Sequence, residues 1–150
     1  MAVTRIRSLA AIIALGFCSG SCSAVAAAEV WLSEADIRRE MTGHAMKGYY
    51  RDGEHWVDDY SASGAIAYRD QRGDFTGKWS FQGNVFCTFY SGDINGGCYL
   101  LRQLSRNCFE YVIVPNDWRG PGLAPQSTPQ WYARGWRGGD PSTCEAPPMS

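Results

Sequence analysis

The chain has 150 residues, with 14 basic against 15 acidic side chains, a net charge of −1, and 45% hydrophobic and 13% aromatic residues. That length suits one domain with a modest core. The charge balance supplies no basic footprint for nucleic acid or an anionic membrane, and beyond the first residues no apolar run is long enough to span a bilayer.

In chain order, Arg5 and Arg7 precede an apolar run over residues 9–17 and a small-residue zone ending in Ala24-Val25-Ala26-Ala27-Ala28. A charged head, a short apolar stretch and A-x-A sites predict a signal peptide over residues 1–28 and export to the periplasm or medium. Cys18 and Cys22 raise lipoprotein anchoring as an alternative. Phe17 before Cys18 and Ser19 three residues before Cys22 depart from a lipidation pattern, which favours simple cleavage. Four cysteines would remain: Cys87, Cys98, Cys108 and Cys144. An even number in an exported chain reads as two disulfides. Counting leaves three pairings open, and spacing favours Cys87 with Cys98 and Cys108 with Cys144. No C-x-x-C pair supports a redox or zinc site.

Ser33 followed by Glu34 and Asp36 is a serine N-cap with acids in the first turn, and Gly43 can end the element, so a short helix is expected over residues 33–42. All seven prolines lie from Pro115 onward. Proline removes a ladder donor, so this division separates a meander over residues 44–114 from a Pro/Gly-rich tail over 115–150. Turn signals at short intervals delimit seven strands near 44–50, 55–60, 65–70, 75–82, 85–90, 98–104 and 108–114. The expected fold is mainly β: an antiparallel up-and-down meander rolled into a barrel or half-barrel, one N-terminal helix, and an irregular tail tied back by a disulfide.

Two hairpins carry register predictions. A two-residue loop at Asp52-Gly53 would set Tyr50 opposite His55 and Tyr49 opposite Trp56; a type II′ loop at Gly83-Asn84 would set Phe81 opposite Phe86, Trp79 opposite Thr88 and Ser80 opposite Cys87. Gly77, Trp79, Phe81, Phe86, Thr88 and Tyr90 then share a core face, with Cys87 on the other. The tail holds Trp118, Trp131, Tyr132 and Trp136, expensive to leave in water, so part of it should pack back on the sheet.

Candidate chemistry is sparse. Glu54, His55, Asp58 and Asp59 form the densest ionisable cluster, but on a strand Glu54 and Asp58 face one way and His55 and Asp59 the other, which reads as polar decoration. His44 has no nucleophile with recognisable context. Arg72-Gly73-Asp74 makes an ordinary polar turn. No catalytic, cofactor or metal residue is assigned. The aromatics Tyr49, Trp56, Tyr68, Trp79, Phe81, Phe86 and Tyr90 would either fill the barrel, preferred for so short a meander, or wall a pocket for an apolar or sugar-like molecule.

The helix ending in Thr-Gly, then Tyr60-Ser61-Ala62-Ser63-Gly64, Gly77-Lys78-Trp79, Phe86-Cys87 and Gly97-Cys98-Tyr99 resemble small exported proteins of Gram-negative bacteria that share an uncharacterised domain. The similarity covers about residues 32–114 and implies a lipocalin-like β meander. Thr76-Gly77-Lys78-Trp79 is also similar to the Gly-x-Trp of lipocalins and the Thr-Gly-x-Trp of avidins. In those families the motif sits on the first barrel strand; here it lies mid-meander, so no retinoid or biotin pocket carries over. The function expected is a non-enzymatic exported domain, monomeric, that binds a small molecule or an envelope component. The alternative is a protein-interaction module, such as an inhibitor of an exported enzyme or a cell-wall factor, using Trp118, Trp131 and Trp136 as a contact patch.

Overall fold

The computed structural model describes residues 30–92, 94, 96–116, 118 and 130–146. The expected signal peptide lies outside the described residues. The elements are β1 (Val30–Trp31), α1 (Glu34–Met41), β2 (Ala45–Tyr50), β3 (His55–Tyr60), β4 (Ala65–Asp70), β5 (Gly73–Gln82), β6 (Val85–Tyr90), β7 (Gly97–Ser105), β8 (Cys108–Ile113) and β9 (Trp131–Arg137).

Strands β2 to β8 pair antiparallel in sequence order, and β9 pairs with both β8 and β2, closing an eight-stranded up-and-down barrel. The seven strands expected from the turn signals correspond to β2–β8. The eighth comes from the tail, where no proline intervenes between Pro129 and Pro141 and every residue of 131–137 can therefore join a ladder. Closure removes the exposed edges that an open meander would present. The additional strand β1 pairs with the far end of β7, at Gln103 and Arg102.

Helix α1 begins as its sequence directs. The Ser33 hydroxyl accepts from the Asp36 N–H at 3.2 Å, and the Asp36 carboxylate accepts from the Ser33 N–H at 3.1 Å. This reciprocal cap satisfies two otherwise orphaned donors. Thr42 is the C-cap, and Gly43 follows at φ 77°, a conformation glycine adopts without strain. The helix closes the barrel end from which β2 departs. Leu32, Ile37 and Met41 are buried against a core that includes Tyr60, Ile66, Trp79, Phe86 and Phe109. Arg38 covers the same end, its guanidinium 5.1 Å from the Trp79 ring centre and 4.7 Å from that of Phe81.

The Gly83 hairpin has the expected register: Phe81 opposite Phe86, Trp79 opposite Thr88 and Ser80 opposite Cys87, with Gly83 at φ 62°. The β2–β3 hairpin corrects the other register prediction by one residue. Tyr50 N–H donates to the Glu54 carbonyl at 2.8 Å, and Gly53, at φ 91°, donates back to the Tyr50 carbonyl, so the loop has three residues. Tyr49 therefore pairs with His55 and Gly48 with Trp56. The shift leaves Trp56 facing inward and turns Tyr49 outward, since a one-residue slip exchanges the faces of the slipped strand. Its physical reason is room: a Cβ on Gly48 would overlap the Trp56 ring, and one on Gly135 of the adjoining β9 would lie 2.8 Å from it. The indole lies against these two glycines.

Both disulfides form, Cys87–Cys98 between neighbouring β6 and β7 and Cys108–Cys144 tying the chain after β9 to the start of β8. Cys87 is fully buried, although it faces outward, because Trp31, Val114 and Trp118 pack with Val85 and Leu100 over this side. Glu110, also outward-facing and 1% exposed, is held by Arg102 at 2.5 Å and by Arg134 at 2.9 Å. No helix among the described residues is long and apolar enough to cross a membrane.

Candidate functional site: a cup opposite the helix

The barrel interior divides into two halves. Near α1, Trp79, Phe81 and Phe86 fill the space, with ring centres 5.6–6.0 Å apart. At the opposite end the described residues surround an open cavity of about 760 Å³. The expectation of a solidly filled core therefore holds for one half only. Alternation along β3 aims Trp56, Asp58 and Tyr60 inward, and β6, β7 and β8 contribute Tyr90, Tyr99 and Tyr111. The rim carries Tyr50, Tyr132 and the loop residues Arg51, Asp52, Glu54, Gln71 and Arg72.

Asp58 is the unusual member, a carboxyl only 4% exposed. It accepts from the Tyr60 hydroxyl at 2.7 Å and lies 3.2 and 3.3 Å from the Tyr90 hydroxyl through its two oxygens. Removal from water pushes its pKa up to about 7, against the opposing pull of the two hydroxyls, and neighbouring Asp59 adds to the rise. Among the described residues no cation pairs with it.

Asp70 at the rim is the contrasting case. Burial raises its pKa too, but the Arg72 guanidinium at 2.5 Å and the Tyr68 hydroxyl at 2.7 Å outweigh this and hold the group at about 2. Tyr68 in turn meets the Tyr50 hydroxyl at 3.0 Å. Among the described residues, Asp70 thus has a built-in cation and Asp58 has none.

The two interior indoles differ in the same sense. Trp79 donates to the Ser61 carbonyl at 3.0 Å, whereas the buried Trp56 Nε1 has no hydrogen-bond partner among the described residues. A buried N–H without a partner is rare enough to call for one. The Trp56 ring stands edge-on to Tyr111, with centres 5.6 Å apart, and Tyr111 is in turn 6.0 Å from Tyr99.

Of the seven aromatics proposed from sequence as a pocket wall, Trp56 and Tyr90 line the cup. Tyr68 backs it, its ring 4.8 Å from Tyr90. Trp79, Phe81 and Phe86 belong to the packed half. Tyr49 lies outside the barrel, among Trp131, Trp136 and His55, and donates to the Glu145 carbonyl at 2.5 Å. His55 and Asp59 are exposed, as strand alternation requires. The described tail indoles Trp118, Trp131 and Trp136 are half-buried rather than projecting.

Sequence reading missed Asp58, Tyr50, Tyr99, Tyr111 and Tyr132 as cup residues. The signal for Asp58 was present, because a carboxyl between Trp56 and Tyr60 at period two must share their face. Among the described residues no group of three or more metal-ligating side chains converges. Compared with known proteins, the chain matches no family model, no curated protein and no solved structure.

Proposed function

We propose that this chain is a non-catalytic binding barrel, exported and lipocalin-like in plan, that holds a small molecule in the cup opposite α1. The observation that carries this reading is the cavity itself: an eight-stranded barrel can be filled by its own side chains or hold one small ligand, and here an open cavity of about 760 Å³ remains at the end away from α1. Aromatic walls with a few inward polar groups are the usual composition of such sites. The two disulfides support residence in an oxidising compartment.

Native mass spectrometry tests the proposal on full-length protein recovered without denaturation from its producing cells. The wild type is expected to carry a bound mass. Thr88→Phe, which places a ring in the floor of the cup, is expected to lose it. A bare protein mass in every wild-type preparation, or an adduct that Thr88→Phe retains, contradicts the reading.

A further inference from the structure

We propose that the cup takes an organic ammonium ion, a protonated or quaternary amine on an apolar or aromatic body, with the cation seated on Asp58. This rests on the reading of the cup as a small-molecule site and adds the charge of the ligand.

A carboxyl out of water must be protonated or be given a cation. Asp58 lines the cavity, and among the described residues the cationic groups around the cup are already committed. Arg72 pairs with Asp70, Arg134 with Glu110, and the Arg51 guanidinium lies 5.9 Å over the Trp131 ring, away from the floor. A carboxylate offers about four acceptor positions, and the hydroxyls of Tyr60 and Tyr90 occupy only part of them.

The surroundings favour an organic cation over a metal ion, which would need several converging ligands that the described residues do not assemble. The rings of Trp56, Tyr90, Tyr99 and Tyr111 line the space above Asp58, and electron-rich ring faces attract ammonium groups. At the rim Asp52 and Glu54 are balanced by Arg51 and Arg72, so the preference for a cation is set at the floor, by Asp58.

Matched probe pairs test the inference by calorimetry: phenethylamine against 2-phenylethanol, and tryptamine against tryptophol. Each pair differs mainly in the charged head. In the wild type each amine is expected to bind about tenfold or more tightly than its alcohol. In Asp58→Asn the preference should fall to about twofold or less. If Asp58→Asn fails to fold, the pH dependence of the wild type decides instead.

Amine affinity should rise between about pH 5.5 and 8 as Asp58 ionises, with alcohol affinity flat. Among the described residues, the titratable groups facing Asp58 are the hydroxyls of Tyr60, Tyr90, Tyr99 and Tyr111, all raised by burial and protonated throughout this range. Asp59 lies outside the barrel, and Asp52, Glu54, Arg51 and Arg72 stand at the rim. Alcohols binding as well as amines, or an amine preference that survives Asp58→Asn, overturn the ammonium inference and leave the cup standing. If neither amines, alcohols nor methyl glycosides bind, the cup reading falls and takes the inference with it.

Discussion

Replacing Asp58 by Asn should make the ligand-free protein more stable, and only above about pH 4. The folded-state pKa of about 7 stands above the ordinary carboxyl value of 3.8. The native protein therefore holds a proton that the unfolded chain has released. For a raised carboxyl, stability is complete below the unfolded pKa and is lost as pH rises through the folded one. The window here runs from about pH 4 to about pH 7, with a plateau above. The pKa difference corresponds to about 4 kcal/mol as an upper figure, since water entering the cup relieves part of the desolvation. Asn keeps the shape and can accept from Tyr60 and Tyr90, so the variant resembles the protonated wild type at every pH. Urea unfolding of the oxidised proteins at pH 4, 6 and 8 should show the two equal at pH 4 and Asn increasingly ahead at 6 and 8. A difference independent of pH, or an Asn variant weaker by about 2 kcal/mol at pH 8, would refute the claim that Asp58 is buried without a counter-charge.

Other perturbations probe the frame around the cup. Gly48→Ala sets a methyl against the Trp56 ring and the Arg134 carbonyl, and should lower stability by about 2 kcal/mol and alter the near-UV circular dichroism of the displaced indole. Glu110→Ala strips the shared carboxylate from Arg102 and Arg134, and denaturant unfolding should record a loss of about 3–5 kcal/mol. The paired change Cys108→Ser with Cys144→Ser opens a loop with a sequence separation of 36 and should cost about 3–4 kcal/mol, with hydrogen exchange rising first after β9.

Most of the frame was legible because its signals are local. Turn residues marked β2–β8, the Ser33 cap marked α1, and the Gly83 turn set the β5–β6 register that puts Cys87 on the outer face, where Cys98 of β7 meets it. What escaped was non-local. The closing strand β9 is hidden in a tail whose overall proline content suggests irregularity, and only its pairing with both β8 and β2 makes it a strand. The Asp52-Gly53 hairpin is ambiguous between two- and three-residue loops, and one residue decides whether Tyr49 or Gly48 stands opposite Trp56 on the inner face. The choice is made by β9, whose Gly135 joins Gly48 in making room for the indole. The cup eluded composition for a related reason. The same aromatics fill one half of the barrel and surround the other, and helix α1 closes only one end.

Nuclear magnetic resonance of the Trp56 indole N–H offers the most direct test that the cup is the binding site. On titration with phenethylamine, the Trp56 signal should shift together with the ring signals of Tyr90 and Tyr111, while the Trp79 indole, held by the Ser61 carbonyl, stays in place. Shifts confined to Trp131 and Trp136 on the outside, or an unmoved Trp56 across the amine, alcohol and glycoside probes, would contradict the account.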